Sequence, residues 1–216
     1  MVDVAHQINA VSRCLGTKVL DAGEARVMTV SQTYDTDPED LWDACTSPER
    51  IARWFLPISG ELKLGGRYRL EGNAEGTIER CDPPKGFAAT WEYGGEVSWI
   101  DVRILSDADG TARLELEHVA HVSDELWAMY GPGAVGIGWD LGFLGLARHL
   151  AAEPPMDAEA AMAWQLSDNG REFVRQSSDR WYEASVAAGE DEQSARAAAD
   201  RTTEAYTTPP EPQAGA

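Results

Sequence analysis

Residues 133–150 read GAVGIGWDLGFLGLARHL. Length and apolar content make this stretch a helix, yet Gly136, Gly138, Gly142 and Gly145 lie inside it. Each interior glycine costs a helix roughly 1 kcal/mol relative to alanine. Two apolar stripes run along it. Val135, Trp139, Phe143, Leu146 and Leu150 form one; Ile137, Leu141 and Leu144 form the other. A helix apolar on two sides is buried on two sides. The glycines then serve close packing around a cavity. Gly138 and Gly142, which flank Trp139 and Phe143, are the positions where an added methyl is expected to push into a sheet or into a ligand's space. Asp140 near the middle argues against a membrane span, although Gly138 and Gly142 have the spacing of a membrane dimer motif. In a soluble fold this carboxylate is expected at the helix edge, paired with an arginine.

Upstream of this helix the apolar period is two. Tyr68 and Leu70 share one face after a Gly65-Gly66 turn. Phe87, Ala89, Trp91 and Tyr93 alternate with polar or small residues, as do Ile100, Val102 and Ile104, and then Leu114, Leu116 and His118. Such alternation predicts an antiparallel sheet with one wet face and one covered face. SDADGT, residues 106–111, reads as a hairpin turn. An earlier strand is expected over 25–34, followed by two short helices. The first carries a Thr36–Glu39 capping-box spacing, and the second restarts at Ser47-Pro48-Glu49 with Ile51, Trp54 and Phe55 on one face. The fold class expected is α+β, with the long helix covering the sheet.

Four segments follow. Residues 1–24 read as an irregular N-terminal arm, 25–152 as the sheet-and-helix domain, 153–206 as a helical extension that packs back on it, and 207–216 as a disordered tail. The extension holds Trp164, Phe173 and Trp181, too few for a core of its own. Asp157 and Asn169 are its candidate helix caps.

The formal charge of −19 repels phosphate backbones and anionic bilayers, so nucleic acid and membrane are not expected partners. Three widely spaced cysteines without a CxxC motif, and an N-terminus unlike a signal peptide, fit a reducing cytoplasm. His118 and His121 lie an odd number of residues apart on a strand, which spoils a shared metal site. Gly65-Gly66 lacks the sequence of a phosphate loop. Neither metal nor cofactor is expected.

The chain resembles the Hsp90 ATPase activator homologue family of the START-like, helix-grip superfamily. The residues that carry the resemblance are Leu41-Trp42, Thr46, Pro48-Glu49, Trp54-Phe55, Gly65-Gly66, Gly76 and Asp82-Pro83-Pro84, followed by Trp91, Thr111, Leu114, Leu116 and Gly138-Trp139. It spans roughly 25–150. The resemblance implies a curved antiparallel sheet gripping a long helix, with a cavity between them. It supplies no universal catalytic residue, so no catalytic role is carried over. The extension beyond Leu150 departs from many relatives. A separate N-terminal domain like that of the eukaryotic co-chaperone is not expected in this chain.

Tyr68, Trp91, Tyr93, Trp139 and Phe143 are the candidate walls of an apolar ligand pocket, and His118 is its candidate polar contact. The leading expectation is a binding protein for a small lipid-like, polyketide-like or aromatic molecule. A co-chaperone-like module is the alternative, with a chaperone or a second copy of the chain as partner. A cyclase or hydrolase acting in the same cavity is a further alternative.

Overall fold

The computed structural model describes residues 3–107 and 110–209. The chain opens with α1 (Val4–Ala10) and a hairpin of β1 (Ser12–Leu20) and β2 (Gly23–Tyr34). Two helices follow, α2 (Pro38–Thr46) and α3 (Pro48–Trp54). Six strands come next: β3 (Ile58–Gly60), β4 (Arg67–Leu70), β5 (Glu75–Asp82), β6 (Gly86–Tyr93), β7 (Glu96–Ser106) and β8 (Ala112–Ala120). The remainder is helical: α4 (Asp124–Tyr130), α5 (Gly133–Leu150), α6 (Ala158–Gln165), α7 (Asp168–Ala187) and α8 (Glu192–Thr207). Residues 108–109 of the expected SDADGT turn, and residues 210–216 of the expected tail, lie outside the described residues.

All eight strands form one antiparallel sheet in the order β1-β2-β8-β7-β6-β5-β4-β3. This is the α+β, helix-grip architecture, with α5 on the inner face. Val30, Val102, Ile104, Leu114 and Leu116 of the sheet meet Ile137, Phe143 and Leu146 of α5 in the main core. On its other side, Leu144 packs with Phe173 of α7 and with Val4 and Ile8 of α1. No helix among the described residues is long and apolar enough to cross a membrane.

Four local expectations are corrected. The stretch read as an irregular arm is α1 and β1, and β1 pairs with β2 from Ser12↔Ser31 to Leu20↔Gly23. Its weakly patterned sequence hid this, because β1 is an edge strand with little burial. The cap of α2 is Asp37, which accepts from the Asp40 amide at 2.8 Å, while Thr36 bonds the Asp40 side chain. Helix α7 starts two residues earlier than expected, with Ser167 and not Asn169 as its cap. Val135 is 44% exposed and is not part of the buried stripe.

The glycines of α5 divide into two kinds. A methyl at Gly136 would overlap the Trp181 indole, and one at Gly145 would overlap the Trp54 carbonyl oxygen. At Gly138 and Gly142 the nearest atoms, the Tyr206 hydroxyl and the Phe55 ring, would lie 3.5 Å away, an ordinary contact. The close-packed pair is therefore Gly136 and Gly145, and the helices beside α5 make those contacts, not the sheet.

Asp140 is not at the helix edge. It is 1% exposed, between α5 and α7. Arg13 of β1 reaches it with Nε at 3.2 and 3.0 Å from its two oxygens. Trp181 Nε1 donates to it at 3.1 Å, and Ser177 Oγ donates as well. Burial pushes the Asp140 carboxyl upward, against the opposing pull of Arg13 and these hydrogen bonds. The expected arginine partner is present, but it comes from the stretch read as an irregular arm.

Candidate functional site

A cavity of about 350 Å³ opens between α5, the sheet and the α2–α3 pair. It lies at the end of the sheet away from β1. Each wall follows from a local pattern. Alternation along β6 turns Phe87, Ala89 and Trp91 inward; β4 contributes Tyr68 and Leu70 in the same way. Helical spacing brings Trp139, Gly142 and Phe143 of α5 to the opposite wall. Helices α2 and α3 close the side with Trp42, Trp54 and Phe55.

The aromatic rings fix one another. Phe55 stacks on Trp139 with ring centroids 6.2 Å apart and planes 12° from parallel. Trp91 meets Trp139 at 5.2 Å and 58°. Trp42 meets Phe87 edge to face at 6.4 Å. Their polar atoms mostly turn away from the space. Trp54 Nε1 donates to the Ala44 carbonyl at 3.0 Å, and the Tyr68 hydroxyl donates to the Thr90 carbonyl at 2.7 Å.

His118 faces inward, as its register with Leu114 and Leu116 requires, and it is buried. Its Nδ1 accepts from Trp139 Nε1 at 3.0 Å. Indole nitrogen only donates, so the imidazole proton sits on Nε2 and is given to Ser98 Oγ at 2.8 Å. Ser98 Oγ in turn donates to the Trp91 carbonyl at 3.1 Å. Both ring nitrogens are thus occupied. Burial pushes the imidazole down to about 4, so it is neutral at ordinary pH. Burial likewise raises the Cys45 thiol to about 12 and holds the Tyr68 phenol above its usual range.

Of the six residues named from sequence, Tyr68, Trp91, Trp139 and Phe143 line the cavity. His118 does not touch that space; it stands behind Trp139 and holds it. Tyr93 is corrected: it is 61% exposed, the last residue of β6, opposite Glu96 beside the β6–β7 turn. Strict alternation carried it inward on paper, but the strand there has run past its cover. Sequence reasoning missed Trp42, Trp54, Phe55 and Phe87 as cavity walls. The Ile51-Trp54-Phe55 face was visible as an apolar face, but its partner across the cavity is set by long-range packing.

The model of the family described as Activator of Hsp90 ATPase homolog 1-like protein matches residues 35–151, from just before α2 through the end of α5. The chain belongs to this family. Two structures of CalU16 from Micromonospora echinospora resemble it further. The solution structure is 33% identical, with a TM-score of 0.67, and covers 83% of this chain and 97% of that one. The crystal structure is 32% identical, with a TM-score of 0.62, and covers 81% and 98%. These shares exceed the family span, so the likeness to CalU16 extends outside residues 35–151. An HSP90 activator from Plasmodium falciparum, 21% identical over 60% of this chain and 99% of that one with a TM-score of 0.50, shares the fold. No curated protein matches the sequence. The Activator of Hsp90 ATPase homolog 1-like domain here thus contains the α2–α3 pair, the strands that wall the cavity and the helix that covers it.

Proposed function

We propose that the protein binds a small, uncharged, apolar or aromatic molecule in the cavity between the sheet and α5. The observation that carries this reading is the lining. It is built from aromatic and aliphatic side chains around about 350 Å³, within the size range of small-molecule sites. The titratable groups at or beside it favour the same reading. Cys45 and Tyr68 are held protonated and His118 neutral, with both imidazole nitrogens already bonded. A neutral ligand enters such a space without leaving a charge unsolvated. Lipid-like, polyketide-like and aromatic molecules all meet this description, and Tyr68, Trp91, Trp139 and Phe143 are the residues proposed to touch them.

Titration with Nile red, an uncharged apolar dye, tests the reading. Saturable binding with blue-shifted emission is expected, and Gly142→Leu should abolish it by placing an isobutyl group in the cavity while the melt stays cooperative. A wild-type protein that binds no dye, or a Leu variant that binds it unchanged, would refute the proposal.

A further inference from the structure

A second apolar cavity, of about 240 Å³, lies under α4 at the N-terminal end of α5. Met28 and His118 form part of its floor, Val135 and Pro132 one wall, and Leu126 and Trp127 of α4 its roof. The roof is a helix of seven residues that buries none of its own side chains. It is held from its rim. Arg201 donates to the Met129 and Ala128 carbonyls at 2.6 and 2.9 Å, Thr202 donates to Tyr130 at 2.7 Å, and the Arg26 guanidinium lies 4.2 Å over the Trp127 ring.

The partition between the two cavities includes one contact. Trp139 lines the main cavity, His118 lines the second, and the Trp139 Nε1 to His118 Nδ1 hydrogen bond joins them. Beside that indole, Gly142 lines the main cavity and presents no side chain of its own to it. Trp139 is only partly buried. Moving the Trp139 indole off His118 breaks that hydrogen bond and gives up its ring contacts with Phe55 and Trp91; the His118 bond to Ser98 does not depend on it.

We propose that the space under α4 is a second compartment of the same binding site, entered when the Trp139 indole leaves His118, and that the ligand is an elongated uncharged apolar molecule whose far end lies there. The inference rests on the binding reading above. It assigns a length preference that the main cavity alone does not give, because each added buried methylene gains affinity only while a dry compartment receives it. His118 acts here as a latch for Trp139, a positioning residue.

The test compares decanol with hexadecanol as competitors of Nile red on the full chain. Ala120 lines the second compartment from β8, on the same face as His118, and Ala134 lines it from the first turn of α5. Ala120→Phe is expected to weaken hexadecanol by about tenfold and leave decanol unchanged. Ala134→Phe, at an exposed helix position, makes the same test if the strand substitution fails to fold. Imidazole NMR supplies the independent readout: hexadecanol should shift the His118 Nδ1 resonance as its indole partner leaves, and decanol should not. If decanol binds and both Phe variants treat the two alcohols alike, or if His118 is unmoved by hexadecanol, the second compartment is overturned and the main-cavity reading stands. If neither alcohol nor dye binds the unaltered chain, both fall together.

Discussion

The two sides of α5 are built on opposite principles. Toward α7 the helix is filled to contact: Gly136 admits the Trp181 indole, and Asp140, the one buried carboxylate among the described residues, is satisfied by Arg13, Ser177 and Trp181. Toward β4, β5 and β6 the same helix stands off, and a ring of aromatic side chains encloses space. A close-packed interior is the rule, and the apolar void left by one face of a helix whose other face is filled is the departure on which the proposed binding reading rests. The filled side gives α5 a fixed position; the open side uses it.

The sharpest way to break this contrast is to remove the carboxylate that anchors the filled side. Asp140→Ala leaves Arg13 buried with a charge it cannot pair, and Arg13 Nη2 already lacks a hydrogen-bond partner. Losing one member of a buried pair typically costs about 3–5 kcal/mol. Urea unfolding should show a loss of that size, with α7 the first element to lose amide protection. A loss under about 1 kcal/mol would mean that the polar cluster does not hold α7 to the domain.

The next effect probes the wall between the two sides of the cavity system. Folded His118 takes up its proton near 4, whereas an unfolded histidine does so near 6.5. The unfolded chain therefore binds the proton first as pH falls. The stability due to neutral His118 is fully present above about pH 6.5 and is lost progressively down to about pH 4, on the order of 3 kcal/mol in all. Asp140 contributes with the opposite sign, because burial raises its carboxyl. The measurement is thus a difference: wild type minus His118→Gln, by denaturant unfolding at steps from pH 7.5 to 4. A difference that does not change with pH would show that the imidazole is not held neutral by the wall.

Gly136→Ala comes third. Its methyl collides with the Trp181 ring, and the indole must move off its 3.1 Å bond to Asp140. Overpacking of this kind costs roughly 1–3 kcal/mol, more than the helix-propensity gain of about 1 kcal/mol. A lower melting temperature with unchanged Nile red affinity is expected, because the damage falls on the filled side. A variant that melts higher than wild type would place Gly136 among the tolerated glycines.

How much of this was written in the sequence depends on the range of the interaction. The sheet from β4 to β8 follows from alternation, and the two-sided burial of α5 follows from its stripes, since both are periodic patterns within one element. The inward direction of His118 follows from register alone. What it does there does not, because Trp139 and Ser98 are brought to it from other elements. Strand β1 was hidden because an edge strand with little burial carries no clean period, and with it went the source of the Arg13 that meets Asp140. Tyr93 obeyed its alternation and still faced solvent, since periodicity does not tell where the cover ends. The glycines were recognised as meaningful, but which of them touch a neighbour was set by α3 and α7, which no pattern inside α5 reveals.

The smallest expected effect concerns two glycines of α5 with room for a methyl, Gly142 on the open side and Gly138 beside Tyr206 of α8. A methyl at Gly138 meets only the Tyr206 hydroxyl at 3.5 Å, and one at Gly142 meets only the Phe55 ring at the same distance. Neither overpacks, so replacing either glycine by alanine should stabilise α5 by up to about 1 kcal/mol through helix propensity and the reduced freedom of the unfolded chain. The two then diverge in binding. Gly142 borders the main cavity, so its methyl takes up ligand space and should weaken Nile red slightly; Gly138 does not line that cavity and should leave dye affinity as it was. Melting temperature and dye titration on the two single variants decide the matter. If Gly142→Ala lowers the melting temperature, α5 is as tightly packed toward the cavity as it is toward α7. The contrast between its two sides, with the cavity reading built on it, would then be lost.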